Sequence, residues 1–484
     1  MSEIKLQPKA VFDCFAEINK IPRPSHKEQK MGAFLVDYGK KLGLETLQDA
    51  TGNVLIRKPA TKGYENLKTT VLQSHMDMVC EKVADLEFNF ETDPIQTYID
   101  GEWLKAKGTT LGADDGIGVA MQMAILADDS IEHGPLECLF TVCEEEGLNG
   151  AMGLEAGFMK ANYLINLDSE DEGLIFVSCA GGANTKATFH ATPEDTPANQ
   201  FFFKIQISGL TGGHSGDDIE KKRANANKLL ARLLEAFKKY NIRIADIQSG
   251  GLHNAIPRNG FVVACVPEQY KEQLRVDFNV LTAEFEEEFS ATEQNMQFKL
   301  ESTEPTAQVL DKTTTDNLIT ALVSVPNGVL AMDQNIPNFV ETSSNLASVH
   351  LNGNDIDIVS SQRSNIMSAR KNASAMVGGV FALAGADVET GDGYPGWKLD
   401  PNSPLLSITV DAYKKLFEKN PEIKAIHAGL ECGLFSLKYP HVDMVSFGPT
   451  LRGVHSPEER LLIPTVQKVW NHLLETLKNI PVAE

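Results

Sequence analysis

The chain is short of several things, and each shortage removes a class of function. Its seven cysteines stand scattered at 14, 80, 138, 143, 179, 265 and 432, an odd number with no C-x-x-C pair. That argues against a disulfide framework or a thiolate zinc site and fits buried thiols in a reducing compartment. No run reaches the roughly 18 apolar residues of a membrane span. Met1–Leu6 carries no charged segment followed by an apolar one, so no secretory signal is expected. Basic residues are outnumbered: 44 Lys and Arg against 66 Asp and Glu give a formal charge of −22. Such a surface disfavours nucleic acid and anionic membranes as partners. A G-x-S-x-G serine elbow is absent, as are low-complexity tracts and internal repeats. Cytoplasm is the expected compartment.

What remains is an ordinary globular composition, 42% hydrophobic and 23% charged over 484 residues. That length suits two or three domains around large cores. Val11, Phe15 and Ile18 mark one helix; Met31, Leu35, Tyr38 and Leu42 mark another that stops at Gly43. Short apolar runs follow at Asn53–Ile56, Thr69–Gln73, Leu136–Val142 and Tyr163–Leu167, with a helix-like stretch at Ile117–Leu126. This alternation predicts an α/β domain with a mixed, mostly parallel sheet and helices on both faces. The texture changes near Gly181-Gly182. Strands at Lys204–Ser208 and Phe261–Val266 flank a helix over Asn225–Lys239, an order expected of an α+β ferredoxin-like unit. Beyond the breaker cluster Gly391–Gly396 the α/β texture resumes, with a helix from Ser403-Pro404, a run at Met444–Phe447 and a last helix from Pro464. The expected organisation is a first domain over 1–186 and 397–484, interrupted by a second over 187–396.

Metal-type side chains gather where strands end. His75 closes an apolar run, and Asp77 points to the same side of an extended chain, where it can orient the imidazole. Asp114-Asp115 opens a helix; a carboxylate there can share its oxygens between two cations about 3.5–4 Å apart. Glu144-Glu145 follows a very apolar strand, and adjacent side chains diverge, so one can bind metal while the other serves as base. Asp168 ends a further strand, and His455 sits in Gly-Val-His-Ser-Pro. Taken singly, each is a helix cap, a turn acid or a loop histidine. Together they offer two imidazoles and an oxygen-rich set, which suits Zn²⁺ first, with Mn²⁺ or Co²⁺ as substitutes. The residues alone leave open which of Asp114 and Asp115 ligates.

The segments Val-Leu-Gln-Ser-His-Met-Asp-Met-Val, Gly-Thr-Thr-Leu-Gly-Ala-Asp-Asp-Gly, Glu-Glu-Glu-Gly, Asn-Leu-Asp-Ser-Glu, Gly-Gly-His-Ser-Gly, Asn-Ala-Ile-Pro-Arg, Ile-His-Ala-Gly-Leu-Glu-Cys-Gly and His-Ser-Pro-Glu-Glu resemble those of the co-catalytic zinc metallopeptidases that include aminoacylases, glutamate carboxypeptidases and carnosinases. The resemblance covers nearly the whole chain. It implies Asp114 as bridging ligand, His75 and Asp168 on one metal, Glu145 and His455 on the other, Glu144 as general base and Asp77 as orienter of His75. It implies that 187–396 is the family's lid or dimerisation domain, with a homodimer through it. His214 would approach the scissile carbonyl, in its own or a partner subunit's site. Asn254 and Arg363 would bind the substrate carbonyl and carboxylate, and His427 and Glu431 would line the substrate site. The activity implied is hydrolysis of unblocked dipeptides, Xaa-His among them. The alternatives are an N-acyl amino acid deacylase or a tripeptidase of the same fold, or a non-catalytic binder, against which a retained Glu144 argues.

Overall fold

The computed structural model describes residues 5–483. Met1–Ile4, which fall in the N-terminal segment read above for a secretory signal, and Glu484 lie outside the described residues. The chain forms two compact units. Unit 1 takes the chain up to Ser178, then Trp397–Ala425, then everything from Leu430; unit 2 takes Cys179–Gly396 and Ile426–Gly429. Among the described residues no helix is long and apolar enough to cross a membrane, and no disulfide forms.

Unit 1 is built on an eight-stranded sheet in the order Glu45–Gln48, Val54–Lys58, Leu136–Thr141, Thr70–His75, Tyr163–Asn166, Asp443–Ser446, Leu174–Cys179, Glu422–Ile426. The pairings from Leu136–Thr141 across to Asp443–Ser446 are parallel; those of Val54–Lys58 with both its neighbours are antiparallel. The three parallel strands Thr70–His75, Leu136–Thr141 and Tyr163–Asn166 are buried at every position. Strands covered on both faces read as mostly apolar runs, here interrupted by Gln73, Ser74, Glu137 and Asn166. Helices Gln29–Lys41, Ala113–Ala127 and Pro404–Phe417 pack on the sheet, and one apolar cluster runs from Phe15 and Leu35 through Val119 and Ile165 to Leu473. Parallel neighbours present their carboxyl ends along one edge, where open α/β sheets keep their chemistry. His75 ends its strand there; Glu144 and Asp168 follow three and two residues beyond theirs.

Unit 2 holds a nine-stranded sheet with its core clustered around Phe203, Phe237, Leu318 and Phe381. The strand Gln200–Ser208, helix Ala226–Phe237, strands Arg243–Gly250 and Gly260–Pro267, helix Lys271–Glu288 and strand Gln297–Ser302 make one βαββαβ unit. Its first strand lies between the fourth and third, as in a ferredoxin-like fold. A second βαββαβ unit surrounds it in sequence: Gly181–His190, helix Lys312–Ser324, Val340–Asn352, Asp355–Ser364, helix Met367–Leu383 and Asp387–Thr390. Its strands lie in the mirrored order, and the two units join where Arg243–Gly250 pairs antiparallel with Val340–Asn352, second strand to second strand. The expected ferredoxin-like unit is therefore present, with a second one nested around it. The boundary expected at 186/187 falls inside Gly181–His190, which pairs without interruption from Gly181 to His190.

Candidate metal centre and substrate groups

Unit 1 brings His75, Asp77, Asp114, Glu144, Glu145, Asp168 and His455 together. His75 Nε2 lies 3.1 Å from Asp114 Oδ1 and 3.3 Å from Asp168 Oδ1. His455 Nε2 lies 3.3 Å from Asp114 Oδ2 and 3.0 Å from Glu145 Oε2. Asp114 thus turns one oxygen to each imidazole and belongs to two trios, His75–Asp114–Asp168 and Asp114–Glu145–His455. Asp115 points the other way. It is buried against Ser74, where burial pushes its carboxyl up to about 8, and a side chain at Gly118 would collide with both. Of the two neighbours, Asp114 is the one that faces both imidazoles.

The second histidine needs its own support. Leu451–Arg452 and Arg460–Leu462 pair as a hairpin on the strand Trp103–Ala106, and His455 sits in the connecting turn at φ 61°. A left-handed backbone is uncommon outside glycine and costs energy that tertiary contacts must offset.

Asp77 faces both the imidazole and the glutamate turn. Its Oδ1 lies 3.3 Å from His75 Nδ1. The same oxygen accepts the Glu144 N–H at 3.0 Å, while Oδ2 accepts the Glu145 N–H at 3.3 Å and the Ser25 hydroxyl at 2.8 Å. One buried carboxylate therefore fixes both the first histidine and the turn bearing the two glutamates.

The electrostatics fit a cation. Burial pushes Glu144 well above the ordinary carboxylate range, against the pull of His75 and with the charges of Glu145, Glu431 and Asp114 adding to it. Burial also raises Glu145 and Asp168. Hydrogen bonding to Asp114 and Glu145 lifts His455 to about 11. Burial alone would lower His75, but Asp168, Asp114 and Asp77 raise it well above its usual value. Clustered acids in a low-dielectric site hold protons until a cation replaces them. Two imidazoles and three carboxylates in two trios suit a pair of divalent ions.

Glu431 lies beneath this cluster, 1% exposed. Its Oε2 accepts from Gln73 Nε2 at 2.6 Å and from the Thr141 hydroxyl at 2.8 Å, while Oε1 has no hydrogen-bond partner among the described residues. Burial raises its carboxyl to about 7. Glu170 also belongs to this neighbourhood: burial, then the charge of Asp114, raises it to about 7.

Unit 2 gathers the other expected residues. His214 stands on the two-residue strand Gly213–His214, opposite Ala255, and the neighbouring Asn254 accepts the Ser215 N–H through its backbone carbonyl at 2.8 Å. Arg363 lies across from Ser343 in the sheet register. Its Nη1 donates to the Tyr394 hydroxyl at 3.0 Å, and the guanidinium lines a 370 Å³ cavity with His253, Ser361 and Tyr394. His427 is buried, with Nε2 2.8 Å from the Ser343 hydroxyl. Burial, then the charge of Arg363, lowers its imidazole to about 3. His427 and Glu431, expected together in the substrate site, fall in different units.

The sequence reading gave no role to Arg23, Ser25, Gln73, Thr141 and Glu459, which reach Asp77, Glu431 and the turn before Asp114 through hydrogen bonds of long sequence separation. Gln73 and Glu459 fall within the quoted segments Val-Leu-Gln-Ser-His and His-Ser-Pro-Glu-Glu and Thr141 within the run Leu136–Val142, but nothing local marked their partners.

An enzyme of the metallopeptidase class is what this sheet and cluster define. The chain belongs to peptidase family M20/M25/M40, whose model matches residues 71–479. It is 43% identical to the cytosol non-specific dipeptidase of Escherichia coli K12 over 483 residues, 99% of this chain and all of that one. The crystal structure of aminoacylhistidine dipeptidase from Vibrio alginolyticus matches with a TM-score of 0.93 at 42% identity, covering 99% of this chain and 98% of that one. An aminopeptidase structure from Bacillus cereus shares the fold at a TM-score of 0.62 and 18% identity, covering 98% and 99% of the two chains.

Proposed function

We propose that the chain hydrolyses the peptide bond of unblocked dipeptides, Xaa-His among them, at a dinuclear metal centre. The observation that carries this reading is Asp114, one oxygen toward each imidazole–carboxylate pair. Nearly full-length likeness to two proteins named as dipeptidases supports the substrate class.

His75 and Asp168 hold one ion, Glu145 and His455 the other, and Asp114 both. Zn²⁺ is the first choice, with Mn²⁺ or Co²⁺ as substitutes. When bound, such ions polarise the substrate carbonyl and make water more acidic at neutral pH. Glu144 is the general base: its carboxylate takes a proton from the attacking water and passes it to the leaving amine. Asp77 keeps His75 and the Glu144 turn in register. Glu431 pairs its Oε1 with the substrate ammonium. His214 stabilises the oxyanion from its own or a partner subunit, Asn254 binds the carbonyl, and Arg363 grips the carboxylate. Unit 2 serves as lid, and a homodimer through it rests on the family resemblance. The cytoplasm is the proposed compartment, supported by the name of the Escherichia coli relative.

The test is a substrate panel of Ala-His, β-Ala-His, Gly-Gly and Leu-Leu beside N-acetyl-alanine and Ala-Ala-Ala, each with Zn²⁺, Mn²⁺ and Co²⁺. Free dipeptides are expected to be cleaved fastest. Preferential cleavage of the acetylated amino acid or the tripeptide would replace this reading with a deacylase or a tripeptidase.

A further inference from the structure

Behind the ligand cluster, a second buried carboxylate organises backbone. Glu459 is 3% exposed, and four consecutive N–H groups converge on it. Leu111 and Gly112 donate to Oε2 at 2.7 and 2.9 Å; Ala113 and Asp114 donate to Oε1 at 2.8 and 3.2 Å. These groups belong to the turn before the regular part of the helix Ala113–Ala127, since Asp114 and Asp115 themselves leave helical φ/ψ and Gly112 supplies no side chain. Consecutive buried N–H groups in such a turn need an acceptor, and a buried carboxylate supplies one.

Arg23 completes the device. It is 1% exposed. Its Nη1 donates to the backbone carbonyls of Asp77 at 2.7 Å and Met76 at 3.3 Å, and Nη2 donates to that of Gly112. Gly112 has φ 67°, and a Cβ there would collide with the guanidinium. The Arg23 fork therefore ties the strand end bearing His75 and Asp77 to the turn bearing Asp114. Glu459 ties that same turn to the segment bearing His455, four residues upstream of it.

We propose that Glu459 and Arg23, which grip the same turn from its N–H and carbonyl sides, are positioning residues that set Asp114 against both histidines, so that the affinity for the two divalent ions depends on them. The inference rests on the ligand assignment above. A carboxylate can accept all four N–H groups; an amide in its place turns a donor toward two of them. Lysine for Arg23 keeps the charge but loses the fork that spans separate carbonyls.

The experiment is zinc competition against a chromophoric chelator, with melting of metal-free and zinc-loaded protein, for wild type, Glu459→Gln and Arg23→Lys. Outer residues of this kind typically change metal affinity about 10–100-fold. Both variants are expected to weaken zinc in that range and to narrow the melting gap between loaded and metal-free protein. A purely structural role would instead lower both melting points together and leave affinity unmoved; affinity within about threefold of wild type in either folded variant overturns the proposal. Should Glu459→Gln fail to fold, Arg23→Lys decides. Wild type that binds no zinc would sink the ligand assignment itself, a distinguishable result.

Discussion

Replacing Glu144 by Gln separates the chemistry from the architecture. The amide has nearly the same shape, and the backbone N–H of residue 144 still reaches Asp77 Oδ1, so the turn keeps its anchor. Neither imidazole–carboxylate pair around Asp114 includes Glu144, so two zinc ions should still bind. What disappears is the proton acceptor. General-base catalysis by one positioned group contributes about 10²–10⁴ in rate, or roughly 3–5 kcal/mol of barrier. The expected kcat on Ala-His therefore falls by about that factor, with KM little changed because no binding contact is lost. Stability should move the opposite way. Glu144 is an acid raised by burial and by the charges of Glu145, Glu431 and Asp114, so neutralising it removes repulsion, and the metal-free variant should melt no lower than wild type. The assay is stopped-flow or coupled hydrolysis beside zinc analysis by mass spectrometry. A loss below about tenfold with two zinc ions retained, or a loss of rate that tracks a loss of zinc, would refute the role.

Other outcomes follow from the same geometry. Chelation should lower the melting temperature: each ion held at about 100 times its Kd adds about 2.7 kcal/mol, worth roughly 2–4 °C per kcal/mol in a unit of this size; calorimetry showing no shift with a strong chelator contradicts the cation site. Glu431→Gln should slow Ala-His by about 10–100-fold, the worth of a charged hydrogen bond, and leave N-acetyl-Ala-His unaffected; equal losses on both would remove Glu431 as the ammonium site. His472, buried with Nε2 2.8 Å from the Thr409 carbonyl, is held down to about 4 by burial. Its unfolded state binds the proton first, so its stabilisation is complete above about pH 6.5 and is lost as pH falls toward 4, up to roughly 3 kcal/mol. Urea unfolding of His472→Gln between pH 7.5 and 4.5 should show a shallower decline than wild type, and parallel declines would contradict it.

The residues that cluster at the sheet's edge were legible because parallel strands announce themselves twice, as apolar runs and by the polar residue that ends each run. His75, Glu144, Glu145 and Asp168 all carry that signature, and the helix over Ala113–Ala127 marked Asp114. His455 had weaker support, since its hairpin strands are only two and three residues long. Arg23 and Glu459 left almost no local pattern. They work on backbone groups 54 and 346 residues away respectively, and no periodicity encodes a carbonyl that distant. The nested repeat escaped notice for a related reason: the first βαββαβ unit separates Gly181–His190 from its own helix, Lys312–Ser324, so the second unit never appears as a continuous stretch. The expected boundary at 186/187 failed because an edge of texture, Gly181-Gly182, begins a strand there.

The claim that two ions share Asp114 is tested most directly by an anomalous-difference map of crystals of the zinc-loaded protein, collected above and below the zinc edge. Two peaks are predicted, one contacted by His75 and Asp168, the other by Glu145 and His455, with Asp114 touching both. A single peak, or peaks not contacted by Asp114, would contradict the account.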